Sequence, residues 1–242
     1  MINNVNNKAR LYKDGYGIIN EVYTKEEIDA ILIEIAKADT SNATFRKTDN
    51  LFAIRQFLKE IPAVKQILFN DKLKGIINEL FGDRYFTVKS IYFDKPQKSN
   101  WFVAWHQDLT ISVDKKTDTP GYGPWTVKQN QFTVQPPINI LENNFTICIH
   151  LDDTGEGNGA LKVISGSHLK GIYRPETIDW QKETEHTCNV NAGGIMFMRP
   201  LLLHASNRTT NNKTRKVIHI EFSNTELPKG LKWAEKQMVF TI

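Results

Sequence analysis

Cysteine is scarce: Cys148 and Cys188 are the only two in 242 residues. That is too few for a disulfide framework and suits a reducing compartment. No apolar run approaches the roughly 20 residues that a membrane-crossing helix needs. The opening stretch, Met1 to Lys8, is polar and asparagine-rich and lacks the apolar region of a secretory leader. These absences point to a soluble, cytoplasmic protein with no membrane partner. Charge of either sign is not in excess: 31 Lys and Arg against 27 Asp and Glu leave a net charge of +4. The basic residues are scattered, so no nucleic-acid surface is expected. We find no internal repeat and no low-complexity segment. What remains is a hydrophobic fraction of 40%, enough for one sizeable core, in a chain whose length suits a single domain, 1–242.

The pattern along the chain changes near Gly82. Before it, helical signals dominate. Thr24-Lys25-Glu26-Glu27 is a capping box, followed by Ile28, Ile31, Leu32 and Ile35 at helical spacing. Leu51 to Leu58, Ala63 to Leu68 and Leu73 to Phe81 also suggest helices. Residues 1–13 suggest a loose tail and 39–50 a loop. After it, short β-rich stretches are separated by Gly, Pro and Asn turns, which suggests a sandwich of the cupin-like kind. The expectation is a mainly β protein with flanking α-helices: a helical N-terminal layer over 1–82 and a jelly-roll core, or double-stranded β-helix, over 84–222. Residues 112–137 carry six Pro and Gly residues and form a long irregular segment, expected to be an ordered lid anchored by Trp125, Phe132 and Val134.

The chemistry concentrates in Trp105-His106-Gln107-Asp108. On an extended strand, side chains two apart share a face, so His106 and Asp108 would present an imidazole nitrogen and a carboxylate together, with Gln107 turned away. A third ligand from a distant strand would complete two histidines and one carboxylate, which leaves three neighbouring metal positions open, as in non-haem Fe(II) oxygenases. His204 is the candidate. Arg215, eleven residues later, offers a planar, permanently charged fork for a carboxylate. Duller readings compete: a surface strand pair for His106 and Asp108, a satisfied core histidine for His204, a surface cation for Arg215. His150, two residues from Cys148 on the same strand face, could enter the pocket or pack structurally. Phe93, Trp125 and Gln135, with Lys89 and Tyr92, could form pocket wall or simply pack. His168 suggests a turn residue. For His219, which alternates with Val217 and Glu221, the sequence offers no functional argument.

Four blocks carry a resemblance to a known family: Asp14-Gly15-Tyr16-Gly17, the Trp105–Asp108 stretch, Asn158 to His168, and His204-Ala205-Ser206 with Arg215. In this order and spacing, over about Asp14 to Phe222, the chain resembles the phytanoyl-CoA dioxygenase family of Fe(II)/2-oxoglutarate oxygenases. The resemblance implies a jelly-roll core, Fe(2+) bound by His106, Asp108 and His204, and 2-oxoglutarate held by Arg215. It further implies that Ser206 and Gln107 touch the co-substrate or support the ligands. Where the family often has Trp or Arg, this chain has Cys148. The implied activity is an O2-consuming dioxygenase that hydroxylates a small molecule and releases succinate and CO2, with ascorbate as in vitro reductant. Desaturation or cyclisation on the same centre, and a jelly-roll binding protein without turnover, are the alternatives.

Overall fold

A computed structural model describes residues 4–39, 41–49, 51–128 and 131–240. The strands in chain order are β1 Tyr16–Ile19, β2 Phe45–Thr48, β3 Leu51–Arg55, β4 Phe86–Lys95, β5 Val103–His106, β6 Ile111–Val113, β7 Trp125–Lys128 and β8 Gln131–Val134. They continue with β9 Phe145–His150, β10 Leu161–Ile164, β11 Glu185–Thr187, β12 Ile195–Met198, β13 His204–Ser206, β14 Arg215–Ser223 and β15 Gln237–Met238. Among the described residues they form one large antiparallel sheet in the order β1-β12-β9-β14-β4-β3-β2, with β15 also on β4. A four-stranded sheet β11-β10-β13-β5 and a three-stranded sheet β6-β8-β7 complete the set. This is the expected mainly β jelly-roll architecture.

The large sheet is covered on both sides, so its central strands are largely buried, with apolar residues on the face toward the helices. β9 is buried at every residue. Phe145, Ile147 and Ile149 on β9, and Ile218, Ile220 and Phe222 on β14, join one core cluster with Ile28, Ile31, Leu73 and Ile77 of the helices Lys25–Ala36 and Asp71–Leu80. The alternate residues face the small sheet: Cys148, Met196, Met198 and Val217 pack with Leu161, Val163 and Leu202. On β14 this inward row is Arg215, Val217, His219 and Glu221. On β4 it is Lys89, Ile91, Phe93 and Lys95, and each pair lies directly across the ladder.

The N-terminal region departs from expectation. The Thr24 capping box forms as anticipated, but the expected tail is a helix from Asn4 to Lys13, with residues 1–3 outside the described set. Its Arg10 and Lys13 fall at the end where the helix dipole favours cations, and Leu11 anchors it in the core. Residues 45–48 of the expected loop, and 51–55 of the expected helix, form the hairpin β2–β3 on the edge of β4. The open edge of β4 supplies a ladder that a short apolar run can join, and that tertiary opportunity overrides local helix preference. The core also extends past 222: Trp233 packs beside Phe86 and Val88, and Glu235 bonds the Ser90 backbone N–H and hydroxyl.

The segment 112–137 is not irregular throughout. Apart from 129–130, outside the described residues, it supplies β7, β8 and most of β6. Val113 and Val134 are buried beside Leu231 and Trp233.

Candidate active site

The two histidines meet across one antiparallel ladder. His204 on β13 is the direct partner of His106 on β5, and their rings lie 4.2 Å apart. Asp108 sits two residues beyond the end of β5, where its backbone N–H donates to Pro200 O at 2.9 Å. The carboxylate bisects the histidines, with Oδ1 3.9 Å from His106 Nε2 and Oδ2 3.9 Å from His204 Nε2. All three offer ligand atoms within 4.8 Å of one another. One ion with bonds of about 2.0–2.2 Å spans ligand atoms up to about 4.4 Å apart, and both carboxylate–histidine separations of 3.9 Å fall within that reach, so the set could hold a single metal.

The histidines are also prepared as ligands. Nδ1 of His106 lies 2.9 Å from Ala104 O, and Nδ1 of His204 lies 2.9 Å from Leu202 O. A carbonyl can only accept, so each Nδ1 carries the proton and each Nε2 lone pair faces the centre. Burial lowers the pKa of His204 despite the opposing pull of Asp108. Asp108 is itself held below the usual carboxylate range by His204, Lys89 and His106, against the effect of burial. Neutral imidazoles and an ionised carboxylate are the forms that bind a metal.

The same three residues line a cavity of about 190 Å³, together with Lys89, Ile91 and Phe93 of β4 and Arg215, His219 and Glu221 of β14. Arg215 is 7% exposed, and burial lowers its pKa to about 10. Its Nη1 donates to Gly159 O, while its Nε has no partner. Lys95, directly across the ladder, is also buried and donates to Asn207 O. Desolvation, with repulsion from Arg215, lowers its pKa to about 7. Neither cation has a carboxylate within ion-pair distance among the described residues.

The Asn158–His168 block builds this end. Asn158 Nδ2 donates to Asp153 O at 2.8 Å and to Thr214 O at 3.0 Å, pinning the residue before Arg215. Gly159 has φ +77°, and a Cβ there would press on Asn207 O and Ser206 Oγ. The glycine therefore lets its carbonyl accept from both Arg215 and Ser206 Oγ, the latter at 2.8 Å. Ser167 Oγ accepts from Leu203 N at 2.9 Å, which fixes the residue before His204.

The other anticipated residues divide. Ser206 and Phe93 line the cavity. Phe93 stacks on Trp101 at 5.7 Å and meets the edge of His219 at 5.2 Å. Gln107 faces away: its amide donates to Leu201 O and Gly171 O and accepts from Tyr173 N, bracing the loops behind the triad. Cys148 and His150 lie on the inward side of β9 but are buried in packing rather than lining the cavity. Burial pushes the Cys148 thiol far up, and His150 Nδ1 bonds Thr154 Oγ1 at 2.8 Å. Trp125 and Gln135 do not reach the cavity. Trp125 packs beside Leu109 and Phe132, and Gln135 exchanges backbone bonds with Gly123 and Pro124. None of the described residues of 112–137 lines the cavity, so the expected lid contact is not formed. His219, Glu221 and Trp101 do line it. For His219 and Glu221 the available signal was their two-residue alternation with Arg215.

The family model for phytanoyl-CoA dioxygenase matches residues 11–217. The chain belongs to that family. No curated protein matches the sequence. Among solved structures, EctD from S. alaskensis superposes with a TM-score of 0.70 at 17% identity, covering 92% of this chain and 78% of that one. The non-haem α-ketoglutarate-dependent carbocyclase SnoK from nogalamycin biosynthesis gives 0.67 at 14%, covering 95% and 86%. HygX from Streptomyces hygroscopicus, solved with nickel, 2-oxoglutarate and hygromycin B, gives 0.63 at 13%, covering 90% and 86%. At these identities the likeness establishes the shared fold. No helix among the described residues is long and apolar enough to cross a membrane.

Proposed function

We propose that this protein is an Fe(II)- and 2-oxoglutarate-dependent dioxygenase that hydroxylates a C–H bond of a small molecule. One observation carries the reading: His106, Asp108 and His204, which could hold one metal, share a cavity with a buried, incompletely bonded Arg215. A metal at one end and an unsatisfied guanidinium at the other suit a ligand that chelates through one carboxylate and ends in a second. Burying that far carboxylate without a cation would be costly, and Arg215 offers a planar two-pronged partner. Lys95 adds positive charge beside it. Bound iron would supply the oxidation, coupling 2-oxoglutarate and dioxygen to succinate, CO2 and oxidised substrate.

The chain's own contribution is binding and orientation. Ala104 O and Leu202 O fix the imidazole tautomers. Gly159 O and Ser206 orient the Arg215 end. Phe93, Trp101, Ile91 and Leu161 keep the space between dry, which strengthens each electrostatic contact. The test is iron- and ascorbate-dependent conversion of 2-oxoglutarate to succinate, together with calorimetric binding of 2-oxoglutarate to nickel-loaded protein. Absence of both would remove the reading.

A further inference from the structure

The cavity does not stop at the metal. Beyond His219, on the side away from Arg215, the floor ends in an ion pair: Lys89 Nζ lies 2.5 Å from Glu221 Oε1. The two residues are direct partners on β4 and β14, and both line the cavity. Their side chains are 21% and 16% exposed. Between this pair and Arg215 sits His219, which also lines the cavity.

An ion pair in such a place contributes little to stability. Desolvating two charges commonly offsets their attraction, and a well-packed apolar pair of similar volume is often as good or better. An apolar pair would have had apolar company, since Ile91, Phe93, Trp101 and Val103 line the same cavity, alongside Asp108 and the histidines. Lys89 uses one of three donors on Glu221, and Glu221 uses one of about four acceptor positions on Lys89. Because both side chains line the cavity, with His219 beside them, a ligand there can take up those unused positions. Binding pockets fix orientation with a few convergent polar groups of this kind on a mostly apolar wall.

Resting on the dioxygenase reading, we propose that Lys89 and Glu221 form the recognition site for the oxidisable substrate, which carries a hydrogen-bond acceptor and a donor side by side. An amino acid, a primary amide or a polyol satisfies this chemistry. A hydrocarbon chain does not, because it would cover both charges and leave their remaining hydrogen bonds unmade. The Arg215 end remains with the co-substrate, three inward positions along the ladder. Trp101, stacked on Phe93, lines the wall of the same cavity.

The experiment uses nickel-loaded protein saturated with 2-oxoglutarate and measures binding by saturation-transfer NMR. The probes are L-glutamine, nicotinamide and myo-inositol, against octanoate (acceptor only) and octylamine (donor only). At least one donor-and-acceptor probe should bind more tightly than octanoate and octylamine. Its affinity should fall by at least about tenfold in Glu221→Gln, which replaces a charged acceptor by a weaker neutral one. The double variant Lys89→Met with Glu221→Leu removes both charges without stranding either, so it should fold; their opposite influences on Asp108 leave together, so it should lose the probe while calorimetry still detects 2-oxoglutarate. Equal or tighter binding of octanoate or octylamine, no binding by any donor-and-acceptor probe, or unchanged probe affinity in the variants would each overturn the proposal. Wild-type protein that fails to bind 2-oxoglutarate in the same calorimetry would instead overturn the dioxygenase reading.

Discussion

Replacing Arg215 by Met should separate stability from co-substrate binding. In the free protein the guanidinium is 7% exposed, its Nε is unpartnered and Lys95 lies across the ladder. Its pKa falls to about 10, mainly through desolvation, which disfavours the cation by roughly 3 kcal/mol at about 1.36 kcal/mol per tenfold. Removing Arg215 also forfeits its charge-assisted bond to Gly159 O, worth about 1.5–3 kcal/mol. The net expectation lies between no change and a gain of about 1.5 kcal/mol, or very roughly 0–6 °C in Tm for a chain of this size. Binding should move the other way. Truncating one member of a buried, hydrogen-bonded charge pair costs about 2–5 kcal/mol, which is about 30- to 4,000-fold in Kd. Arg215→Lys should recover part of that loss, because the charge returns without the fork. Scanning calorimetry and titration of 2-oxoglutarate into nickel-loaded protein give both numbers. Wild-type affinity in Arg215→Met would refute the anchoring role. A large loss of stability would refute the argument that the cation waits for an anion.

Three further outcomes follow from the structure. Burial raises the pKa of Glu235 from 4.5 to about 7, so its contribution to stability is fully present below about pH 4.5 and is lost as pH rises toward and through 7, by up to about 3 kcal/mol; Glu235→Gln should flatten urea stability between pH 5 and 8, and an unchanged slope would count against this account. Gly17 packs against Phe197, and a Cβ there would enter the Phe197 ring; Gly17→Ala should cost about 1–3 kcal/mol, with partial recovery when Phe197→Leu is added, both read from chemical denaturation. Alanine at His106, Asp108 or His204 should reduce divalent-metal affinity by about 100-fold or more while leaving the circular dichroism spectrum unchanged, since the ligands face the cavity rather than the apolar core; equal metal binding by all three variants would dismiss the triad.

How much of this was readable in advance depends on the range of the interaction. The capping box at Thr24 and the helix after it are local devices, closed within one turn, and were legible. So was β9, where Phe145, Ile147 and Ile149 alternate along a β-rich run. The hairpin β2–β3 was not, because Phe52–Arg55 has no strong preference until the edge of β4 is present. The segment 112–137 shows the same limit. Its Pro and Gly residues signalled turns, but the strands between them form only by pairing with one another and resting on Trp233, more than a hundred residues away.

The candidate site divides along the same line. The sequence by itself placed His106 and Asp108 together and offered His204 and Arg215 as their distant partners, while the family resemblance marked the Asn158–His168 block. The roles proposed for the triad and Arg215 rest on chemistry that few side chains can supply. Only the tertiary structure decided which face each strand turned inward and what stood opposite. Alternation puts Arg215, Val217, His219 and Glu221 in one row. It does not say that Lys89 will meet Glu221, that Lys95 will lie across from Arg215, or that Trp125 will pack away from the cavity. Register and crossover connections set those pairings, and both are properties of the folded sheet as a whole, because each strand gains its neighbours only when strands far apart in sequence share one ladder.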